Sequence, residues 1–299
     1  MRIVISGASG LIGSALVPHL RAAGHEALRL VRRPAAAADE VSWNPAAGLL
    51  DPGALSTVDA VIHLAGVGIG DKRWTSSYKK AVLDSRIDGT TTISKALAAA
   101  EPRPRVLLSM SGAGWYGDTG DRVTDETGPH GVGFLAEVTA AWEAATRPAQ
   151  EAGVRVARMR TGPVITAEGG TLGRMLPLAR LGLLSPLGNG RQYVSWVSLA
   201  DQLDVIGFLL GADDVSGPVN VTGPRPATMA ELTGRLLRVV GRPRLAPCVP
   251  ALVLRGALGG FADEGVLISQ RVVPGVLETA GHRFAHRTIE DALRWATKQ

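Results

Sequence analysis

A doubly wound, parallel α/β sheet with a smaller C-terminal lobe is the fold class predicted by this 299-residue sequence. Three observations predict it. Short β-branched runs alternate with helical segments through the first ~165 residues, the pattern of strands wrapped by helices. The strand-like runs are apolar on both faces, as strands covered on each side must be. A glycine-rich turn, Gly7-Ala8-Ser9-Gly10-Leu11-Ile12-Gly13, joins the first run to the first helical segment.

Arg2 to Ser6 is a β-branched run stopped by Gly7, and Leu11, Ile12, Leu16, Val17 and Leu20 then follow at helical spacing up to Gly24. Ala27 to Val31 forms a second run ending in Arg32-Arg33-Pro34, and Val58 to Ala65 a third ending in Gly66. From Tyr78 to Ala100 a long helical segment carries Val82, Ile87, Ile93 and Leu97, and Pro102 and Pro104 lead into the run Arg105 to Ser109. A further helix, Leu135 to Ala152, leads into Val154 to Arg160. These elements make residues 1–165 one domain, with later segments returning to its sheet.

After Thr161-Gly162 the alternation becomes irregular, and Gly/Pro joints at Gly169-Gly170, Pro186 to Gly190, Gly217-Pro218 and Gly223-Pro224 predict a smaller lobe over residues 166–299. Within it the spacing predicts helices over 172–181, 199–210 and 229–240, a strand over 192–197, and a mostly helical tail from Pro247 that includes a helix from Ile289 to Thr297.

Composition restricts the function classes. At 45% hydrophobic and 20% charged the chain is globular, and the single Cys248 excludes a disulfide framework or a cysteine-bound metal. The net charge of +5 arises from interspersed residues with no Lys/Arg run of four, so no nucleic-acid partner is expected. No apolar run approaches the ~20 residues of a membrane helix, and the chain opens directly on a strand, so a cytoplasmic protein is expected. His19, His25, His130, His282 and His286 lack ligand spacing, which predicts no metal site, and His63 lies in an apolar strand as a core histidine.

The glycine turn has the physical context of a Rossmann-like phosphate loop. Its first glycine permits the tight turn, its second lets backbone approach a pyrophosphate, and its third lets helix pack on strand. The unpaired amides that open the helix then meet phosphate oxygens. An Asp or Glu about 20 residues on would accept from a free ribose 2′-hydroxyl. Here Arg32 and Arg33 stand in that region, and guanidinium forks suit a 2′-phosphate, which favours NADP(H).

The loop, His63-Leu64-Ala65-Gly66, Ser85-Arg86-Ile87-Asp88-Gly89-Thr90, Ser109-Met110-Ser111 and Tyr116-Gly117 together resemble the extended short-chain dehydrogenase/reductases of the nucleotide-sugar-epimerase-like branch. More narrowly, Trp43-Asn44-Pro45, Arg73-Trp74-Thr75, Gly114-Trp115-Tyr116-Gly117-Asp118 and Ser269-Gln270-Arg271-Val272-Val273-Pro274 resemble the atypical "epimerase family" group, which carries a C-terminal extension of unknown function, here about 249–295. The resemblance implies that Gly7, Ser9, Gly10, Leu11, Ile12, Gly13, Arg32, Arg33, Leu64, Ala65, Gly66, Arg86, Thr161, Gly162 and Val164 line the cofactor.

Catalytically competent relatives carry Tyr-x-x-x-Lys at the start of the helix before the sixth strand. The corresponding stretch here, Gly133-Phe134-Leu135-Ala136-Glu137-Val138-Thr139, has neither residue. Two readings stay open. In one, the protein is an oxidoreductase or epimerase-like enzyme of unknown small-molecule substrate, in which Ser111 orients a substrate oxygen and Tyr116 manages the proton, helped by Arg86 or Lys72. In the other, Tyr116 only stacks beside the cofactor or closes the cleft, and the chain is a catalytically silent NADP(H)-binding sensor or interaction protein. Trp74 and Trp115 follow strand ends where substrate would approach, and Ser195 to Ser198 either lines the cleft or packs the lobe. No motif specifies an oligomeric state.

Overall fold

The computed structural model describes residues 1–298. Seven parallel strands form the central sheet: β1 (Arg2–Ser6), β2 (Glu26–Val31), β3 (Glu40–Ser42), β4 (Ala60–His63), β5 (Val106–Gly112), β6 (Arg155–Thr161) and, later in the chain, β10 (Gly217–Val221). Their order is β10-β6-β5-β4-β1-β2-β3. The four central runs read from sequence are buried almost throughout. The two edges, β3 and β10, escaped that reading for a physical reason. β3 is only three residues long, and β10 opens on Gly217-Pro218, which an edge strand tolerates because one side of its backbone needs no partner. Gly217-Pro218 therefore begins a strand although it looks like a joint.

One face of the sheet is covered by α1 (Leu11–Ala22) and α6 (Leu199–Gly211), where Leu16, Leu20, Val205 and Leu209 pack on Ile3, Ile5 and Ile62. The other face carries α2 (Ser76–Ala99), α3 (Phe134–Ala144) and α4 (Arg147–Glu151). There Ile93, Leu97 and Ala149 close over Val4, Val61 and Leu107. The single helix predicted over 135–152 is interrupted at Ala145-Thr146, since Pro148 in the first turn of α4 has no N–H to continue the ladder.

The smaller lobe is built on α5 (Gly170–Arg180), α7 (Met229–Val239) and α10 (Ile289–Ala296), which share a core of Leu172, Leu176, Leu232, Leu236, Ile289, Leu293 and the fully buried Trp196. The strand predicted over 192–197 is two short pieces. β8 (Tyr193–Val194) pairs with β11 (Ala227–Thr228), and β9 (Val197–Ser198) pairs with β7 (Val164–Ile165). The tail adds α8 (Ala251–Leu258) and α9 (Gly275–Thr279). Among the described residues no helix is long and apolar enough to cross a membrane, and no group of His, Cys, Asp or Glu is placed to hold a metal.

Candidate functional site

Strands β2 and β3 lie to one side of β1, while β4, β5, β6 and β10 lie to the other. The crossovers reverse direction between β1 and β4, and a crevice opens at the carboxyl ends of those two strands. Gly7 leaves β1 at φ 70°, and a Cβ there would lie 2.8 Å from the Ala65 nitrogen on the opposite wall. Gly13, buried in the first turn of α1, would drive a Cβ into the Gly7 carbonyl and to 2.7 Å from the Ala8 Cα. The Gly10 N–H closes the turn on the Gly7 oxygen at 2.9 Å. Gly10 caps α1 without any side-chain acceptor for the amides that follow, and Ser9 and Gly10 are exposed while Leu11 and Ile12 are half-buried. The result is a shallow, amide-lined cradle open to an anion.

Arg32 and Arg33 diverge at the end of β2. The Arg33 guanidinium donates to both oxygens of Glu40, at 2.8 and 2.6 Å, and Glu40 also takes Arg29 at 3.1 Å and the Ala36 N–H at 2.9 Å. The bonds from Arg33 and then Ala36 hold the Glu40 carboxyl at about 2. Arg33 thus braces β3, and it lines the same cavity as Arg32. Arg32 is exposed, with no ion-pair partner among the described residues. It lines a cavity of about 620 Å³ with Ser42, Trp43, Asn44, Leu50 and Asp51, a volume ample for a purine and its ribose.

Beyond β4, Leu64 and Ala65 are half-buried and Gly66 is exposed. The loop that follows is pinned to α2: Ser85 Oγ accepts from Val67 N at 3.1 Å, Tyr78 donates to the Gly68 carbonyl, and Arg86 donates to the Val67 and Val82 carbonyls at 2.9 and 3.0 Å. Arg86 is 6% exposed, its guanidinium lies 4.8 Å from the Trp142 ring, and its Nε has no partner. Burial lowers it to about 10. A buried cation without a carboxylate, directly beneath Gly66, favours an anion in the crevice above it. Across the sheet, Thr161 turns its hydroxyl toward the Met110 sulfur at 3.1 Å, and half-buried Val164 pairs with Val197 in β7 and β9. Gly162 is small because the Ser195 carbonyl fills the space of a Cβ, so it serves the joint between lobes.

Ser111 and Tyr116 are brought together, and both are internal. Ser111, 3% exposed, donates to Glu143 Oε1 at 2.8 Å. Glu143 is gripped by Arg160 through bonds of 2.7 and 3.0 Å. Arg160 also donates to the Tyr116 oxygen at 3.0 Å, and Tyr116, 2% exposed, donates to Asn220 Oδ1 at 2.7 Å. Ser111, Arg160 and Asn220 stand side by side on β5, β6 and β10. Burial pulls Arg160 down, but the Glu143 carboxylate outweighs it and the net shift is upward. Burial moves the Tyr116 phenol upward despite Arg160. In this structure both hydroxyls are buried and committed to a closed polar row. Neither Lys72 nor Arg86 is the cation beside the phenol; Arg160 is. Glu143, Arg160 and Asn220 were missed, although charges at alternate positions of an otherwise apolar strand, Arg158 and Arg160, already signal a buried partner.

The start of α3 is apolar. Phe134 meets Trp74 edge-on at 5.1 Å, Lys79 lies over both rings at 4.7 and 4.9 Å, and the Thr139 hydroxyl is returned to the Leu135 and Ala136 carbonyls. Trp196 is fully buried and donates to the Arg225 carbonyl at 3.1 Å, so the Ser195–Ser198 segment packs the lobe.

His63 sits in the core behind the crevice, its Nδ1 paired with Ser6 Oγ at 2.6 Å. Burial, then the Arg86 charge, lowers it to about 3. Because the unfolded chain takes up this proton near 6.5 and the folded chain does not, the contribution is complete above pH 6.5 and is lost as pH falls toward 3. In urea titrations His63 is expected to contribute about 1.4 kcal/mol per pH unit to the fall in stability across that window, a share of the slope that His63→Leu removes. An unchanged slope in the variant would mean that His63 takes up its proton in the folded state.

Comparisons with known proteins bear on the family and the fold. Residues 3–222 match the model of the NAD dependent epimerase/dehydratase family, and residues 249–296 match a domain of unknown function, DUF1731. An epimerase family protein of Mycobacterium bovis, Mb2239, is 49% identical over 295 residues, covering 99% of this chain and 97% of its own. The crystal structure of the human epimerase family protein SDR39U1 with NADPH superposes with a TM-score of 0.91 at 30% identity, covering 100% of this chain and 99% of that one. A nucleoside-diphosphate sugar epimerase from Corynebacterium glutamicum gives 0.81 at 31% identity, over 98% of this chain and 57% of that one.

Proposed function

The chain belongs to the NAD dependent epimerase/dehydratase family, and we propose that it binds NADP(H) and does so without the family's tyrosine–lysine proton relay. The carrying observation is the cradle. Gly7 and Gly13 leave no room for a Cβ, the amides after Gly10 have no side-chain cap, and Arg32 has no ion-pair partner among the described residues and stands beside a purine-sized cavity. The likeness to a structure that contains NADPH supports the choice of dinucleotide. In this assignment Leu11 and Ile12 amides take the diphosphate, Arg32 takes the 2′-phosphate, and Arg86 supplies positive potential below Gly66. When bound, the dinucleotide supplies a hydride equivalent at its nicotinamide.

Isothermal calorimetry is expected to give tighter binding of NADPH than of NADH, and Arg32→Ser to remove most of that preference, about tenfold or more, because one charge-assisted pair is lost. Equal affinity for both dinucleotides in the unaltered protein would overturn the NADP(H) assignment.

A second reading, an oxidoreductase or epimerase-like enzyme acting on a small molecule through Ser111 and Tyr116, is favoured by the Arg160 guanidinium 3.0 Å from the phenol oxygen. It requires Tyr116 to exchange Asn220 for a substrate oxygen. Steady NADPH oxidation over a carbonyl panel, abolished by Tyr116→Phe, supports it; tight binding without turnover supports the silent reading.

A further inference from the structure

The C-terminal extension reaches the two segments that border the far end of the crevice, the loop after β5 and the start of α3. Residues 269–273 run as a strap along that loop. Thr119 N donates to the Ser269 carbonyl at 2.8 Å, Ser269 Oγ donates to the Gly120 carbonyl at 2.7 Å, and Thr124 N donates to the Arg271 carbonyl at 2.9 Å. On its other side the strap is anchored in the lobe: Gln270 N donates to the Tyr193 carbonyl at 3.0 Å, and the Ser195 hydroxyl donates to the Gln270 carbonyl at 2.6 Å and accepts from Val272 N at 2.7 Å.

Two side chains project from this extension to the backbone of those two segments. The Gln270 amide donates to the carbonyls of Ala113 and Gly117, at 3.0 and 3.2 Å, spanning the turn that carries Trp115 and Tyr116. Glu264 accepts the Leu135 N–H at 2.8 Å. The N-cap of α3 is Gly133, which has no side chain to do this, so the helix is capped from a segment 129 residues away. A carboxylate at a helix start also opposes the helix dipole.

Resting on the NADP(H) reading, we propose that the C-terminal extension is a positioning device for the nicotinamide half of the site, in which Gln270 and Glu264 are positioning residues that fix the loop after β5 and the first turn of α3. The extension thereby explains why the same chain carries both matched segments: the sheet supplies the cradle for the adenosine half, and the strap sets the opposite wall. Neither residue touches the cradle at Gly7 to Gly13.

The test separates the two halves of the ligand. NADPH and adenosine 2′,5′-bisphosphate are titrated by calorimetry into the full chain, Gln270→Glu, Glu264→Leu and Glu264→Gln. Gln270→Glu keeps the side chain's size but meets two carbonyls with a carboxylate. Gln270→Glu and Glu264→Leu are expected to weaken NADPH about tenfold with the bisphosphate unchanged, and Glu264→Gln, which keeps an acceptor, to match the parent. Equal weakening of both probes, or of neither, in a folded variant overturns the proposal. If Gln270→Glu fails to fold, the two Glu264 variants decide. If the parent binds neither probe, the dinucleotide reading falls, and deuterium uptake still judges the strap: faster exchange over 113–120 and 135–138 in the variants supports it, and unchanged exchange overturns it.

Discussion

Replacing Glu143 by leucine is expected to destabilise the protein by about 3–5 kcal/mol, the cost of leaving a buried charge without its partner. Arg160 is the stranded group. Its side chain is 4% exposed, and its remaining contacts are the Tyr116 oxygen at 3.0 Å and the face of Trp115 at 3.9 Å, neither of which carries a negative charge. Ser111 loses its acceptor in the same substitution, which leaves a second buried donor unmade. Urea denaturation provides the measurement. Pairing the change with Arg160→Met is expected to recover a large part of the loss, because an apolar pair of similar volume avoids the desolvation that the ion pair must overcome. A loss below about 1 kcal/mol in the single variant would mean that the row is solvated and that Ser111 and Tyr116 are accessible after all. The same measurement therefore bears on chemistry: a rigid row withholds both hydroxyls from the crevice, while a loose one releases them.

The cradle was legible in the sequence because its residues are contiguous. Gly7, Gly10 and Gly13 join β1 to the first turn of α1, and the contact that excludes a Cβ at Gly13 is made within that turn, although the wall at Ala65 that also crowds Gly7 comes from a distant strand end. The polar row was not legible, since Ser111, Tyr116, Glu143, Arg160 and Asn220 come from separate elements spread over more than a hundred positions, and only the register of β5, β6 and β10 aligns them. The pairing of Arg33 with Glu40 was hidden for the same reason. Glu40 lies on β3, a three-residue edge strand whose polar sequence carries no hydrophobic pattern. The motif at 269–274 was recognisable as a family feature, but its purpose depends on carbonyls contributed by residues 113–124. Local rules thus specify the half of the site that holds phosphate. The half that would meet a substrate is specified by contacts between distant segments, where composition and periodicity carry little information.

Gly13→Ala is expected to abolish measurable dinucleotide binding, a loss of roughly a hundredfold or more, while leaving the fold in place. In an ordinary helix the change would be favourable by about 1 kcal/mol, since glycine is the weaker helix former. Here the added methyl collides with the Gly7 carbonyl and approaches the Ala8 Cα to 2.7 Å, and both are backbone atoms of the turn that presents the amides. Relief requires the turn to move away from α1, which separates the Gly7 and Gly10 backbone from the position a diphosphate occupies. Two companion substitutions divide this steric effect from conformational strain. At Gly10 a Cβ would come to 3.3 Å from the Gly7 oxygen, a contact that small shifts accommodate, so Gly10→Ala is expected to weaken binding only severalfold. Gly24, with φ +84° and open space around it, tests strain alone. Gly24→Ala is expected to cost about 1–2 kcal/mol of stability with unchanged affinity for NADPH. Calorimetric titration beside thermal melts of the three variants distinguishes the terms. The order Gly13, Gly10, Gly24 in lost affinity, with the stability loss at Gly24 unaccompanied by any loss of binding, follows only if the backbone of this one turn is the phosphate ligand.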